Sequence, residues 1–202
     1  MSQPIALRIP SKYASLSSSS SSFSPPALDW LHRTWTVTHS TLAMWRTARN
    51  VRITYSPLPG SGAGRPRIDD LVQYEKTSGK GGLKTVSGAD TAAGDDSASW
   101  DWRGKGILGF VTSHWEVVGW GERDVVDGEG RKAKERWAVT WFAPTLFTKE
   151  GVDLYSDRKE GMSPELAEEI LAALKGLGAA PLVQMVEADM KEVEVRLPWL
   201  EG

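Results

Sequence analysis

Between Thr34 and Asp157 the chain is a series of short segments in which bulky and polar residues alternate, each closed off by Gly, Pro, Asp or Ser. An extended backbone turns successive side chains to opposite faces, so each segment reads as a strand with one buried and one covered or solvated side. Eight such segments precede any helical pattern: 34–42, 50–57, 68–77, 83–91, 98–104, 111–120, 135–143 and 151–157. The intervening stretches, among them "PGSGAGRPR", "SGKGG", "AAGDDS" and "GERDVVDGEGRKAKE", have the composition of hairpin loops. Many short strands joined by short loops predict an all-β, up-and-down antiparallel arrangement, a sandwich or barrel.

One helix is written clearly after the strands. In "SPELAEEILAALKGLG" Ser163 suits the N-cap, Pro164 the first turn and Gly178 the stop, giving a helix over 164–177. Leu166, Ile170, Ala173, Leu174 and Leu177 form one apolar stripe, which predicts packing against the barrel wall. "LVQMVE" and "EVEVRLPW" read as late strands, the second with Val193, Val195 and Leu197 on one face.

Composition removes several function classes. Lys plus Arg number 24 against 26 Asp plus Glu, a net charge of −2 with no basic block, so nucleic acid is not an expected partner. No cysteine is present, which excludes disulfides, thiolate metal sites and cysteine nucleophiles. No apolar run reaches membrane-spanning length and the amino terminus lacks the apolar core of a secretory signal, so a cytoplasmic location is expected. Residues 1–27, rich in Ser and Pro with Arg8 and Lys12 and no acid, read as a disordered tail, with a mitochondrial presequence as the alternative. The domain is then 28–202.

A tryptophan opening the first strand, seven further strands, "VDLYSDR" and then a helix form an order that resembles the lipocalins of the calycin superfamily, over Leu28 to Asp189. The pattern is similar to lipocalin-like proteins of filamentous fungi. The resemblance implies an eight-stranded barrel around a small-molecule cavity, with Arg158 stacked over Trp35 at the closed end. Arg33 stands where the family's Gly-x-Trp has glycine, and the central Thr-Asp-Tyr-type motif is not clear, both departures from its pattern.

Strand parity then proposes the cavity wall. Trp35, Val37, His39 and Thr41 share a face with Trp35, as do Val152, Leu154 and Ser156 if Arg158 meets Trp35; Trp137, Val139 and Trp141 are placed inward, with Ala138, Thr140 and Phe142 outward. Ten tryptophans exceed what a core of this size needs, and Trp100, Trp102, Trp137 and Trp141 are the candidate apolar walls for a flat or polycyclic ligand; in a solidly packed barrel they would only fill space. His39, Tyr55, Tyr74 and His114 are the candidate polar groups, each equally at home as a satisfied core residue. The inward face of 111–120 is open: if Trp115 and Val117 point in, His114 and Glu116 point out.

Metal binding is not expected, because no ligand spacing occurs and Asp69–Asp70 and Asp95–Asp96 sit where solvated charge is usual. Some calycin relatives hold haem through a barrel histidine, a part His39 or His114 could take, but no cofactor is expected. "GSGAGR", "GKGG" and "RGKG" fail the dinucleotide and P-loop patterns, and no Gly-x-Ser-x-Gly occurs. The reading is a binder of a small hydrophobic molecule. Its alternative is an enzyme isomerising or cyclising a hydrophobic secondary-metabolite intermediate, with His39 or a tyrosine as donor; a packed interaction domain without a cavity is the third. Ligand identity and oligomeric state are outside what the sequence specifies.

Overall fold

The computed structural model describes residues 4–16, 23–58, 64–94, 97–126 and 130–201; Asp95–Asp96 lie outside them. The eight expected strands are all present: β1 (Thr34–Ser40), β2 (Ala48–Pro57), β3 (Arg67–Lys76), β4 (Lys84–Ala92), β5 (Ser99–Gly104), β6 (Thr112–Val126), β7 (Lys132–Phe142) and β8 (Gly151–Ser156). Each pairs antiparallel with the next, and β8 and β2 both pair with β1, so the sheet closes into an eight-stranded barrel. β6 and β7 run beyond the expected limits as a twisted ribbon, from Gly121↔Trp137 to Val126↔Lys132.

Short α1 (Leu28–Leu31) plugs the end where β1 begins. There Trp35 is fully buried, donates from Nε1 to Leu31 O at 3.1 Å, and meets Trp30 at 5.0 Å between ring centres. The guanidinium of Arg33 lies 5.3 Å from the Trp30 ring and 5.4 Å from the Trp35 ring. Arg158, expected over Trp35, is turned away to Glu160 at 2.6 Å and Glu135 at 3.8 Å, while its carbonyl accepts from the Thr36 hydroxyl. The cation on the indole is therefore Arg33, the residue that departs from the family's glycine.

α2 (Pro164–Lys175) presents Leu166, Ile170 and Leu174 of the expected stripe to the wall, with Ala167 beside them and Ala173 and Leu177 only half-buried, and it ends at Gly176 rather than Gly178. Ser163 occupies the N-cap position, but its N–H and hydroxyl donate to Glu135, each at 2.6 Å. "LVQMVE" is not a strand: it lies in α3 (Ala180–Asp189), with Leu182 and Val186 buried one turn apart. A stretch of six residues with only four apolar is too short to separate strand from helix by periodicity, and Pro181 in the first turn was the helical signal. The last expected strand is reduced to two short pairings: β9 (Lys191–Glu192) with β1, and an isolated parallel bridge from Glu194 to Arg49; Val193 is buried, but Leu197 is exposed. The following segment is clamped by Asn50 and Glu75: Asn50 Nδ2 donates to Glu75 and to Arg196 O, both at 2.8 Å, and Arg196 N–H returns a bond to Asn50 Oδ1 at 2.7 Å.

The tail assigned to 1–27 includes residues 4–16, which lie along β6. Leu7 bridges to Gly119, where a Cβ would come within 2.2 Å of Leu7 Cδ2, and Arg8 N–H donates to Val118 O at 2.7 Å. Among the described residues no helix is long and apolar enough to cross a membrane.

Candidate functional site

Two apolar clusters share the barrel wall. The inner one holds Trp35, Val37, Ile53, Tyr55, Ile68, Trp100, Trp115 and Tyr155. The outer one sets Trp137, Val139, Trp141, Val152 and Leu154 under α2 and α3. The expected parity of β7 and β8 is thus reversed: Ala138, Phe142, Asp153 and Tyr155 face inward, and Trp137 and Trp141 are not cavity walls. The tail of β7 gave no parity signal, because Trp137–Phe142 is apolar on both faces, as suits a strand covered on both sides. Trp137 lies flat on Gly121, where a Cβ would come within 2.9 Å of its ring, and Trp141 Nε1 donates to Glu150 at 2.7 Å.

His39 also leaves the interior. A bulge between Val37 and His39 inserts one residue, so Trp35 and Val37 point inward before it and Ser40 after it. His39 faces β9, 3.2 Å from the Thr38 hydroxyl, and burial lowers its pKa against the opposing charge of Glu192. It cannot be the donor to a ligand held inside. His114 is outside as well, because Trp115 and Val117 turn inward. It donates from Nδ1 to Asp101 at 2.8 Å and lies 3.6 Å from Glu116; the Glu116 contact most raises its pKa, with burial opposing.

What remains inside is a cavity of about 410 Å³ at the end opposite α1. Ile53, Val72, Val86, Trp102, Trp115 and Phe142 form its wall, and Leu42, Met44, Trp45, Leu108, Phe110 and Phe147 carry it up to the connecting loops. Met44, Phe110 and Phe147 are 49%, 73% and 68% exposed, so the rim is apolar on its solvent side. Trp102 can lean against β4 only because position 88 is glycine: a Cβ there would lie 2.0 Å from Trp102 Nε1. Of the expected residues, Tyr55 and Trp102 line the cavity. Trp100 lies deeper, 6.0 Å from Trp115 in a stacked pair, and Tyr74 backs Trp45 edge to face at 5.6 Å.

The floor carries groups the sequence reading passed over. Tyr55 stacks on Trp115 at 5.4 Å, and Trp115 Nε1 donates to Asp90 Oδ1 at 2.8 Å. Asp90 is within hydrogen-bonding reach of Asp70, and Asp153 accepts from the Ser40 hydroxyl on the opposite wall. Burial, followed for Asp70 by the charge of Asp90, pushes both members of this pair well up; burial raises Asp153 to about 7. Two buried carboxyls in contact titrate as a unit, sharing a proton that leaves only at raised pH. Tyr55 and Tyr155, buried beside them, are raised for the same reason. A signal for Asp70 existed: it shares strand parity with Ile68, Val72 and Tyr74, a charge on an apolar face. Asp90 likewise follows Val86 and Gly88 in parity.

No family model matches the chain, and no curated protein matches it. Among solved structures it is similar to lobster apocrustacyanin A1, at 9% identity over 85% of this chain and 81% of that one with a TM-score of 0.51. It is similar to apocrustacyanin C1 at 10% identity, covering 83% and 78%, with a TM-score of 0.52. At that identity the likeness is one of fold: the barrel is lipocalin-like.

Proposed function

We propose that the chain is a divergent lipocalin that takes a small, largely apolar molecule into its barrel. One observation carries this reading: a cavity of about 410 Å³, walled by aromatic and aliphatic side chains, closed beneath by the Trp35 floor and opening through an apolar rim. That volume falls within the range of small-molecule sites, and removing ligand surface from water supplies about 25 cal/mol per Å² before ordering costs. Exposed Phe110 and Phe147 gain cover only when the mouth is occupied or closed.

The test is titration with the neutral dye Nile red, followed by its emission. Wild type takes up the dye at one site. Val86→Trp, which fills the cavity, loses at least about tenfold in affinity, whereas Trp137→Phe on the outer wall does not. Equal uptake by wild type and Val86→Trp would place the dye elsewhere and sink the reading. Mass spectrometry of a small-molecule extract incubated with the protein separates carrier from enzyme: a compound retained unchanged marks a carrier, and a product growing with time marks an enzyme.

A further inference from the structure

The buried acids of the outer wall are met by donors of the chain. Glu75 receives Arg49 and Asn50, Glu116 receives Arg8 and Ser11, and Glu135 receives the N–H and hydroxyl of Ser163. The interior acids are treated differently. Asp70 is 6% exposed and lines the cavity, its Oδ1 is buried without a donor, and Asp90 Oδ2 behind it is in the same condition. Among the described residues no Lys, Arg or His lines the cavity with them.

We propose that the ligand carries a basic nitrogen whose ammonium lies against Asp70 on the cavity floor, with an aromatic or branched apolar body held among Trp45, Trp102 and Trp115. The inference rests on the barrel being a ligand site. A carboxylate taken out of water is costly unless a charged or hydrogen-bonding partner replaces the water. An ammonium brings up to three N–H donors and the missing charge, and in a dry cavity such a bond is among the stronger ones available. The indole faces attract the same cation. An anionic ligand would meet Asp70 and Asp153 on the lining with Asp90 behind, so the acids also reject carboxylates and sulfates. A metal ion fits poorly as the cation: among the described residues no group of three or more His, Asp or Glu is placed to hold one.

Protons follow from the same arrangement. Asp70 and Asp90 are faced by Tyr55, Tyr155 and Asp153 inside the barrel, and by the charges of Asp69, Asp101 and Lys105 from outside, Lys105 being paired with Asp69. An ammonium bound at Asp70 displaces the shared proton, so amine affinity rises as pH rises.

The experiment is calorimetric titration of the full chain with 2-(1-naphthyl)ethylamine, 2-(1-naphthyl)ethanol and 1-naphthaleneacetate, which share a ring and differ in charge. At neutral pH the amine is expected to bind at least about tenfold tighter than the alcohol, a difference of about 1.4 kcal/mol, with the anion weakest. Asp70→Asn abolishes that advantage. Between pH 5 and pH 8 the wild-type affinity for the amine climbs while that for the alcohol stays level, a result that needs no folded variant. Equal binding of amine and alcohol overturns the inference and leaves the apolar reading standing. An amine preference that survives Asp70→Asn and ignores pH also overturns it, and uptake of none of the three overturns both.

Discussion

The outer wall and the interior of this barrel bury acids to similar depth and handle them in opposite ways. Outside, partners hold Glu75 and Glu116 below the usual carboxylate range against the pull of burial. Inside, burial wins, and Asp70, Asp90 and Asp153 are held above it. A buried acid with a complete set of chain donors is a fastening; one without them is a vacancy in the hydrogen-bond network that a visiting molecule can fill. Aromatic content does not make that distinction, since Trp100 and Trp115 inside and Trp137 and Trp141 outside are buried alike.

The largest expected effect is at a fastening. Glu75→Ala strands Asn50 and Arg49 and frees the segment held at Arg196 and Leu200, so denaturant unfolding should show a loss of about 3–5 kcal/mol. Leu174→Ala, in the dry contact between α2 and the wall, should cost about 2–5 kcal/mol and leave ligand uptake intact. An equal loss of uptake would show that the two faces are not independent.

The pH dependence sharpens the contrast further. Glu75 and Glu116 have lowered pKa values in the fold, so their stabilisation is full above about pH 4.5 and is lost on acidification. The interior aspartates have raised values, so the fold is favoured below about pH 4 and loses that advantage as pH rises towards 7, where Asp90 and Asp153 ionise. Thermal unfolding from about pH 2 to pH 8 should therefore show a maximum at about pH 4 to 5, falling on the acid side as Glu75 and Glu116 protonate and on the other side up to about pH 7. Asp153→Asn, which still accepts from Ser40, should flatten the alkaline side by a few kcal/mol, each pKa unit being worth about 1.4 kcal/mol.

Much of the fold was legible because it rests on periodicity: eight alternating segments gave eight strands, and the stripe of α2 gave its contact face. The interior was only partly legible. Parity is counted from an anchor, and two things spoiled the count. The bulge in β1 moved His39 out, and the walls under the helices misled: Trp137–Phe142 carries bulky residues on both faces, and in β8 the apolar Val152 and Leu154 face the helices while Asp153 faces the cavity. Tyr55 and Trp102 were found because β2 and β5 have one polar face. Asp70 was read with Asp69 as solvated charge, as acids near strand ends usually are, and Asp90 was not singled out, although parity places both with apolar neighbours.

The smallest effect tests the closed end. Arg33→Ala should cost about 1 kcal/mol through the lost stack on Trp30 and Trp35, and Arg158→Ala less, since Arg158 makes mainly an exposed pair with Glu160. The reverse order would restore the arrangement implied by the family resemblance.

The bulge between Val37 and His39 works as a frameshift does in a coding sequence: one inserted unit leaves both flanking texts intact and changes which of their letters are read. Upstream the cavity reads Trp35 and Val37; downstream it reads Ser40, whose hydroxyl meets Asp153. In a regular strand Thr38 would stand opposite Leu154 and His39 opposite Asp153, an imidazole at the wall in place of that hydroxyl. The presence of one bulge thus decides which chemistry the lining carries, without substituting a single residue.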